Sequence, residues 1–218
     1  MSSKNHIDVL VIGSGPGGYA AAFRAADLGR DVIIIDKDPT LGGVCLNRGC
    51  IPSKTLLHIA KVLEEADSLK KMGVSFTKPK IDIDAVRDWK SKVVTQLSGG
   101  IAQMAKARNV KTIQAEASFI SNNEVELNSD SGKQVLTFDH CIIAAGSSSS
   151  AVPGIPKDNE NILTSKTALD LKKIPKKLLV IGGGYIGLEM GTVYSALGSS
   201  VSVAEFLPTL LPGADDDL

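Results

Sequence analysis

Two glycine clusters, Gly13-Ser14-Gly15-Pro16-Gly17-Gly18 and Gly182-Gly183-Gly184-Tyr185-Ile186-Gly187, stand 169 residues apart (13 to 182), and the residues after each keep the same spacing. Each cluster is preceded by an apolar run, 9–12 and 178–181. Each leads through a helical stretch to a Leu-Gly pair, Leu28-Gly29 and Leu197-Gly198. A β-branched run then ends in an acid, Asp36 or Glu205. In a strand–turn–helix–strand unit the first glycine turns the chain, the second lets backbone approach a pyrophosphate and the third lets helix and strand pack closely. The diphosphate then rests on the free N–H groups at the start of the helix, and the terminal carboxylate accepts from ribose hydroxyls. One such pattern is weak, because glycine turns are common; a second copy that repeats the acid's placement argues for two dinucleotide sites rather than two plain strand–turn–helix units.

A chain of 218 residues has room for one full domain and part of another, and 43% apolar residues permit a proper core. Lysine plus arginine equal aspartate plus glutamate, 24 each, so nothing in the charge points to nucleic acid or an acidic membrane surface. The start, residues 1–6, is polar and lacks the apolar core of a signal peptide, and no run is long enough to span a membrane. Three cysteines without an export signal make no disulfide framework. The expected setting is cytoplasmic, with no membrane and no nucleic acid.

Periodicity predicts strands over 7–12 and 31–36 and a helix over 17–28 between them. A second helix is predicted over 52–69, with Leu56, Ile59, Ala60, Leu63 and Ala66 on one face. A long third helix spans 84–108, its stripe of Val86, Trp89, Val93, Leu97, Ile101 and Met104 read as core packing. Short β runs from 110 to 144 read as a meander that returns to the main sheet. The Ser/Gly/Pro loop 147–156 marks the edge of the first domain, and a helix over 165–171 precedes the second nucleotide unit. The expected fold is α/β: a Rossmann-like domain over 1–150 with a small β meander, then the start of a second Rossmann-like domain over 151–218.

The chemistry is concentrated in Leu41-Gly42-Gly43-Val44-Cys45-Leu46-Asn47-Arg48-Gly49-Cys50-Ile51-Pro52-Ser53-Lys54. Zinc sites favour gaps of two to four residues and further ligands; Cys141 and three scattered histidines supply no such set, so no metal is expected. Two unconnected core cysteines are the plain alternative. The glycines before Cys45 suit close backbone approach to a flat, large group. A dithiol beside a flavin passes two electrons by thiol–disulfide exchange, the thiolate being the reacting form. Lys54, one helical turn past Cys50, is placed to stabilise negative charge there.

From residue 7 to the last, the chain resembles the pyridine nucleotide–disulfide oxidoreductases. Its Cys-Leu-Asn-x-Gly-Cys-Ile-Pro-Ser-Lys segment is similar to the branch that oxidises protein-bound dihydrolipoyl groups; glutathione reductases usually show Pro-Lys-Lys there, and mercuric reductases usually Val in place of Leu46 and Ile51. Ala144-Ala145-Gly146-Ser147 is similar to the family's Ala-Thr-Gly flavin loop, with Ala145 for the threonine. Val44 and Arg48 also depart from the usual threonine and valine.

The resemblance implies FAD on the first unit, held by Gly13, Gly15, Pro16, Gly18, Asp36, Lys37, Gly43, Val44, Ala117, Ala145, Gly146 and Ser147. It implies NAD on the second, held by Gly182, Gly184, Gly187 and Glu205, with Tyr185 over the nicotinamide. Cys45 and Cys50 are expected to form a redox-active disulfide, Cys45 meeting the substrate and Cys50 the flavin, and Lys54 to lie near the flavin's reactive nitrogen paired with Glu189. Cys141 reads as a core residue, and His6, His58 and His140 as surface or structural. The implied partners are lipoyl domains of 2-oxo acid dehydrogenase complexes and a second copy of the chain. The family's His-Glu acid–base pair belongs to an interface domain that these 218 residues do not contain, so little dihydrolipoamide oxidation is expected of them alone. Another disulfide reductase of the family and a non-enzymatic flavin-binding remnant stay open as alternatives.

Overall fold

The computed structural model describes residues 6–150, 152–156, 159–215 and 217; the polar start 1–5, Ala151 at the expected domain edge and the final Leu218 lie outside them. The chain divides into two compact units, one of Met1–Asn47 with Val94–Ser148, the other of Arg48–Val93 with Ser149–Leu218.

In the first unit, β1 (His6–Ile12), α1 (Pro16–Asp27) and β2 (Val32–Asp36) form a β-α-β unit with parallel strands. Ile7, Val9, Leu10 and Val11 are buried, as are all of Val32–Ile35. Burial on both faces is what unbroken β-branched runs specify in the middle of a parallel sheet. Pro16 opens α1, where its missing N–H has no intrahelical role and its fixed φ suits the first turn. The helix stops at a left-handed Gly29, φ 82°. The Gly29 and Arg30 amides donate to the Ala26 and Ala25 carbonyls, closing the last turn.

A short α2 (Gly43–Arg48) comes after the loop that leaves β2, and β3 (Lys111–Gln114) pairs parallel with β2. The meander is β4 (Glu116–Ser121), β5 (Glu124–Ser129) and β6 (Gly132–Ile143), giving the sheet order β3-β2-β1-β6-β5-β4. Strand β6 serves two partners. Its first half runs antiparallel to β5, and from Thr137 onward it runs parallel to β1, where Ile143 faces Ile12. Ile7, Leu10, Ile33, Ile35, Val125, Leu127, Leu136 and Phe138 form the core of this unit. Cys141 packs against that core half-buried, not inside it, and burial pushes its thiol pKa up.

The second unit contains α3 (Cys50–Ser68), the N-terminal part of α4 (Ile83–Ala107), α5 (Ser165–Ala168), β7 (Lys177–Ile181), α6 (Tyr185–Ala196) and β8 (Ser200–Ala204). Strands β7 and β8 pair in parallel. Leu56 of α3 joins Ala168, Leu169, Leu171, Met190, Val193 and Tyr194 in a second core. The Tyr194 hydroxyl donates to the Ala168 carbonyl at 2.9 Å, and Lys90 Nζ to the Leu169 carbonyl at 2.6 Å; burial lowers the Lys90 pKa, with Asp170 opposing. These bonds take up carbonyls at the end of α5. The helix expected over 165–171 therefore ends early, and Leu171 turns left-handed at φ 48° with its side chain fully buried.

The apolar stripe of α4 departs from its expected role. Ile101 is buried and Val86 packs on the second core, but Trp89 is 54% exposed, Leu97 43% and Met104 41%. Lys92 Nζ lies 5.8 Å from the Trp89 ring centroid. Periodicity identifies a common helix face; it does not say that every turn of a 25-residue helix has something packed on it. The histidines do stand at the surface, His6 bonding Thr137 and pairing with Asp139.

Candidate functional site: two nucleotide turns and a cysteine pair

The two glycine turns match in their backbone hydrogen bonds. Gly13 and Gly182 have φ of 100° and 101°, a region that favours glycine. The Gly13 amide donates to the Ile35 carbonyl at 2.7 Å, and the Gly182 amide to the Ala204 carbonyl at 2.8 Å. Gly15 and Gly184 cap α1 and α6, neither helix has a capping side chain, and neither has an acid in its first turn. The opening amides of both helices thus face the turn without a side-chain acceptor, the arrangement that receives a phosphate. The strand registers agree as well, Ile12 facing Ile35 and Ile181 facing Ala204.

Both acids close back onto their own turn. Asp36 Oδ2 accepts from the Ser14 amide at 2.7 Å, and Oδ1 from the Asp38 amide at 2.9 Å. Glu205 Oε2 accepts from the Gly183 amide at 2.5 Å, and Oε1 from the Leu207 amide at 2.8 Å. Hydrogen bonds from the Leu207, Gly183 and Phe206 amides hold the Glu205 carboxyl below its usual pKa, with desolvation opposing. The equivalence runs past the acids. The Gly42 amide donates to the Ser14 carbonyl and the Leu211 amide to the Gly183 carbonyl, each at 2.9 Å. Sequence reading stopped at the acids and missed this. The signal was present in Pro39-Thr40-Leu41 and Pro208-Thr209-Leu210, which keep the same spacing.

Around the first turn the backbones meet with no side chain between them. A Cβ on Gly13 would collide with the Ala144 carbonyl, and one on Gly43 with Gly15 Cα. Gly15, Gly43 and the loop that starts at Ala144 therefore form a cradle of bare backbone at the C-terminal ends of β1 and β6, beside the uncapped amides of α1, the feature that suits a diphosphate. Pro16 is exposed and Gly18 is packed against the Gly13 carbonyl. Val44 is exposed in α2, and Ala145, Gly146 and Ser147 are exposed after β6. Lys37 is exposed and its carbonyl accepts from Gln114. Ala117 is half-buried in β4 opposite Leu127. A cavity of about 810 Å³ opens beside Asp36, bounded by Asp38–Leu41, the Ser98–Ala102 side of α4 and Gln114.

Cys45 in α2 and Cys50 at the head of α3 are joined by a disulfide, and Cys141 is the free cysteine. Cys50 is exposed. As the first residue of a 19-residue helix it stands at the positive end of the dipole, where a thiolate is favoured. The six-residue α2 was not foreseen, because Val-Cys-Leu-Asn-Arg has too few turns for a period. Lys54, one turn along α3, puts Nζ 2.5 Å from Glu189 Oε1 of α6. The lysine is 61% exposed and the carboxylate 24%, so this pair orients two side chains more than it stabilises the fold. Tyr185 is 68% exposed at the start of α6, and Gly187 lies against the Gly182 carbonyl. No cluster of histidine, cysteine or acidic residues that could hold a metal occurs among the described residues.

The model of the pyridine nucleotide-disulphide oxidoreductase family matches residues 7–218. The dihydrolipoyl dehydrogenase of Vibrio cholerae serotype O1 is 53% identical over 218 residues, all of this chain and 46% of that protein. The dihydrolipoyl dehydrogenase of Haemophilus influenzae is 51% identical over 219 residues, again 46% of its length. The chain thus spans about half the length of the curated relatives it matches. Among solved structures, the HOCl-induced flavoprotein disulfide reductase RclA of Escherichia coli, as its Cu(II) complex, superimposes with a TM-score of 0.82 at 29% identity, covering 98% of this chain and 45% of that one. The duplicated turns, the bonded cysteine pair and these matches agree: the chain belongs to the pyridine nucleotide-disulphide oxidoreductase family.

Proposed function

We propose that this chain serves a flavoenzyme that oxidises protein-bound dihydrolipoyl groups to lipoyl disulfides and delivers the electrons to NAD. The observation that carries the reading is the Cys45–Cys50 disulfide at the head of α3, in a chain with two dinucleotide turns. In this reading residues 1–150 are the FAD-binding domain and 151–218 belong to the NAD-binding domain. The first cradle, Gly13, Gly15, Pro16, Gly18, Gly43, Val44 and Ala145–Ser147, holds the FAD diphosphate and its surroundings, with Asp36, Lys37 and Ala117 toward the adenosine. Gly182, Gly184, Gly187 and Glu205 hold NAD, and Tyr185 covers the nicotinamide.

One dihydrolipoyl thiolate attacks Cys45 Sγ, the Cys45–Cys50 bond breaks, and Cys50 leaves as a thiolate favoured by the α3 dipole. The second dihydrolipoyl thiol, on losing its proton, attacks the substrate sulfur of the mixed disulfide; Cys45 leaves as a thiolate and the lipoyl disulfide is complete. Two protons are released, and two electrons rest on the cysteine pair. Bound FAD would supply the two-electron acceptor that returns the pair to the disulfide, with NAD as the final acceptor. Lys54, held by Glu189, brings positive charge one turn from Cys50.

The zero net charge supports a protein or small-molecule partner over nucleic acid. No helix among the described residues is long and apolar enough to cross a membrane. Lipoyl domains of 2-oxo acid dehydrogenase complexes, a homodimer and a cytoplasmic setting belong to the same proposal. The test is anaerobic reduction of the FAD-loaded protein. Slow bleaching of the flavin band by stoichiometric dihydrolipoamide, without sustained turnover and absent in Cys45→Ser, is the expected result. Bleaching by NADPH but not by dihydrolipoamide would point to another disulfide reductase, and a chain that takes up no FAD would overturn the reading.

A further inference from the structure

Ser14 is fully buried in the first turn and belongs to none of the roles above. Its amide and its hydroxyl both donate to Asp36 Oδ2, at 2.7 and 2.6 Å. Its carbonyl accepts from the Gly42 amide, the residue before the helix that carries Cys45. One residue thus ties the acid to the turn through two donors and ties the turn to the start of α2. The equivalent residue in the second unit is Gly183, which makes the amide bond to Glu205 and the carbonyl bond to Leu211 but has no hydroxyl. A Cβ on Gly183 would meet the flexible end of the Leu210 side chain, which would have to move to admit a serine there. Both of these otherwise equivalent acids receive backbone donors, and Asp36 receives a side-chain donor from its turn as well.

A hydrogen bond to a charged group is stronger than one between neutral groups, and a second donor on the same oxygen restricts where the carboxylate can swing. We infer that Ser14 is a positioning residue that fixes Asp36 as the ribose acceptor of the first nucleotide and so makes that site the retentive one, whereas Gly183 leaves Glu205 in a site whose nucleotide exchanges. The division suits a reaction in which one nucleotide stays bound through each turnover and the other is consumed as a substrate. The inference rests on the assignment of FAD to the first unit and NAD to the second.

The experiment is FAD release from the loaded protein, monitored by the return of free-flavin fluorescence, for the unmodified chain, Ser14→Ala, Ser14→Gly, Ser14→Thr and the same alanine change in an Asp36→Asn background. Ser14→Gly copies the turn that this chain already folds in its second unit, so a folding failure is not expected to mask the result. Removing the hydroxyl should speed FAD release roughly tenfold, the order expected for one hydrogen bond to a charged group. Ser14→Thr, which keeps the hydroxyl, should restore retention. In the Asp36→Asn background Ser14→Ala should add less than about a twofold change, since a residue acting through Asp36 has nothing left to position. Unchanged release in both Ser14→Ala and Ser14→Gly overturns the inference and leaves the FAD assignment standing. Additive losses in the Asp36→Asn background overturn it as well, by showing a structural role. An unmodified chain that takes up no FAD overturns the assignment itself and the inference with it.

Discussion

Glu205 shows how the backbone around a glycine turn can hold a single carboxylate in its charged form. Backbone amides of Leu207, Gly183 and Phe206 lower its pKa, so the charged form is favoured in the folded chain. The sign comes from linkage. The stabilisation is fully present above the unfolded value of about 4.5 and is lost as pH falls through the lower folded value. We expect NMR titration of the Glu205 carboxyl to place its midpoint below the ordinary glutamate value of about 4.5. A midpoint at or above that value would mean that the closure onto Gly183 does not form. The same charge should repel a 2′-phosphate. On the proposed assignment of NAD to the second unit, Glu205→Ala should therefore narrow the preference for NAD over NADP by about tenfold or more, read as the ratio of dissociation constants.

At the scale of elements, two contacts decide whether a site exists at all. The first is the approach of α2 to the glycine turn at Gly43, φ 59° with Gly15 Cα in the way of any Cβ. Gly43→Ala should cost more than about 1 kcal/mol of stability and should lose FAD at least as readily as Ser14→Ala. Ultrafiltration of the flavin-loaded protein measures this, and retention equal to the unmodified chain would refute it. The second is the packing of α6 on α5. Tyr194→Phe removes a donor from the buried Ala168 carbonyl and should cost about 1–3 kcal/mol, seen as a lower urea midpoint with an unchanged slope.

How much of this was legible in the sequence also varies by element. The glycine turns, their helices and their acids were readable because each residue there has a steric or electrostatic task that few other residues perform. The cysteine segment was readable for a similar reason, bracketed as it is by glycines and Pro-Ser-Lys. Helix α2 was not, being six residues with no period. The exposed turns at Trp89, Leu97 and Met104 were misjudged because a stripe records a face without its covering. Ser14 was passed over because serine in a turn is ordinary until its hydroxyl is seen on Asp36.

The whole molecule holds three cysteines, and the fold gives them two fates. Cys45 and Cys50 are bonded, while Cys141 stays a thiol whose burial disfavours the thiolate. Denatured under oxidising conditions the chain should show one reactive thiol, and after reduction three. Three in both states would contradict the pairing.

Strand β6 has a consequence for how the first unit is made. His6 bonds Thr137 across a separation of 131 residues, so β1 gains its second neighbour only after synthesis has passed residue 137. At ~5–20 residues per second, that interval is roughly 7–26 s. Until then β1 can pair only with β2, and the other edge of its Val-Leu-Val-Ile run stays open, a template for any passing strand. A nascent chain of this sequence therefore carries one open edge of β1 until residues 137–143 leave the ribosome and cover it.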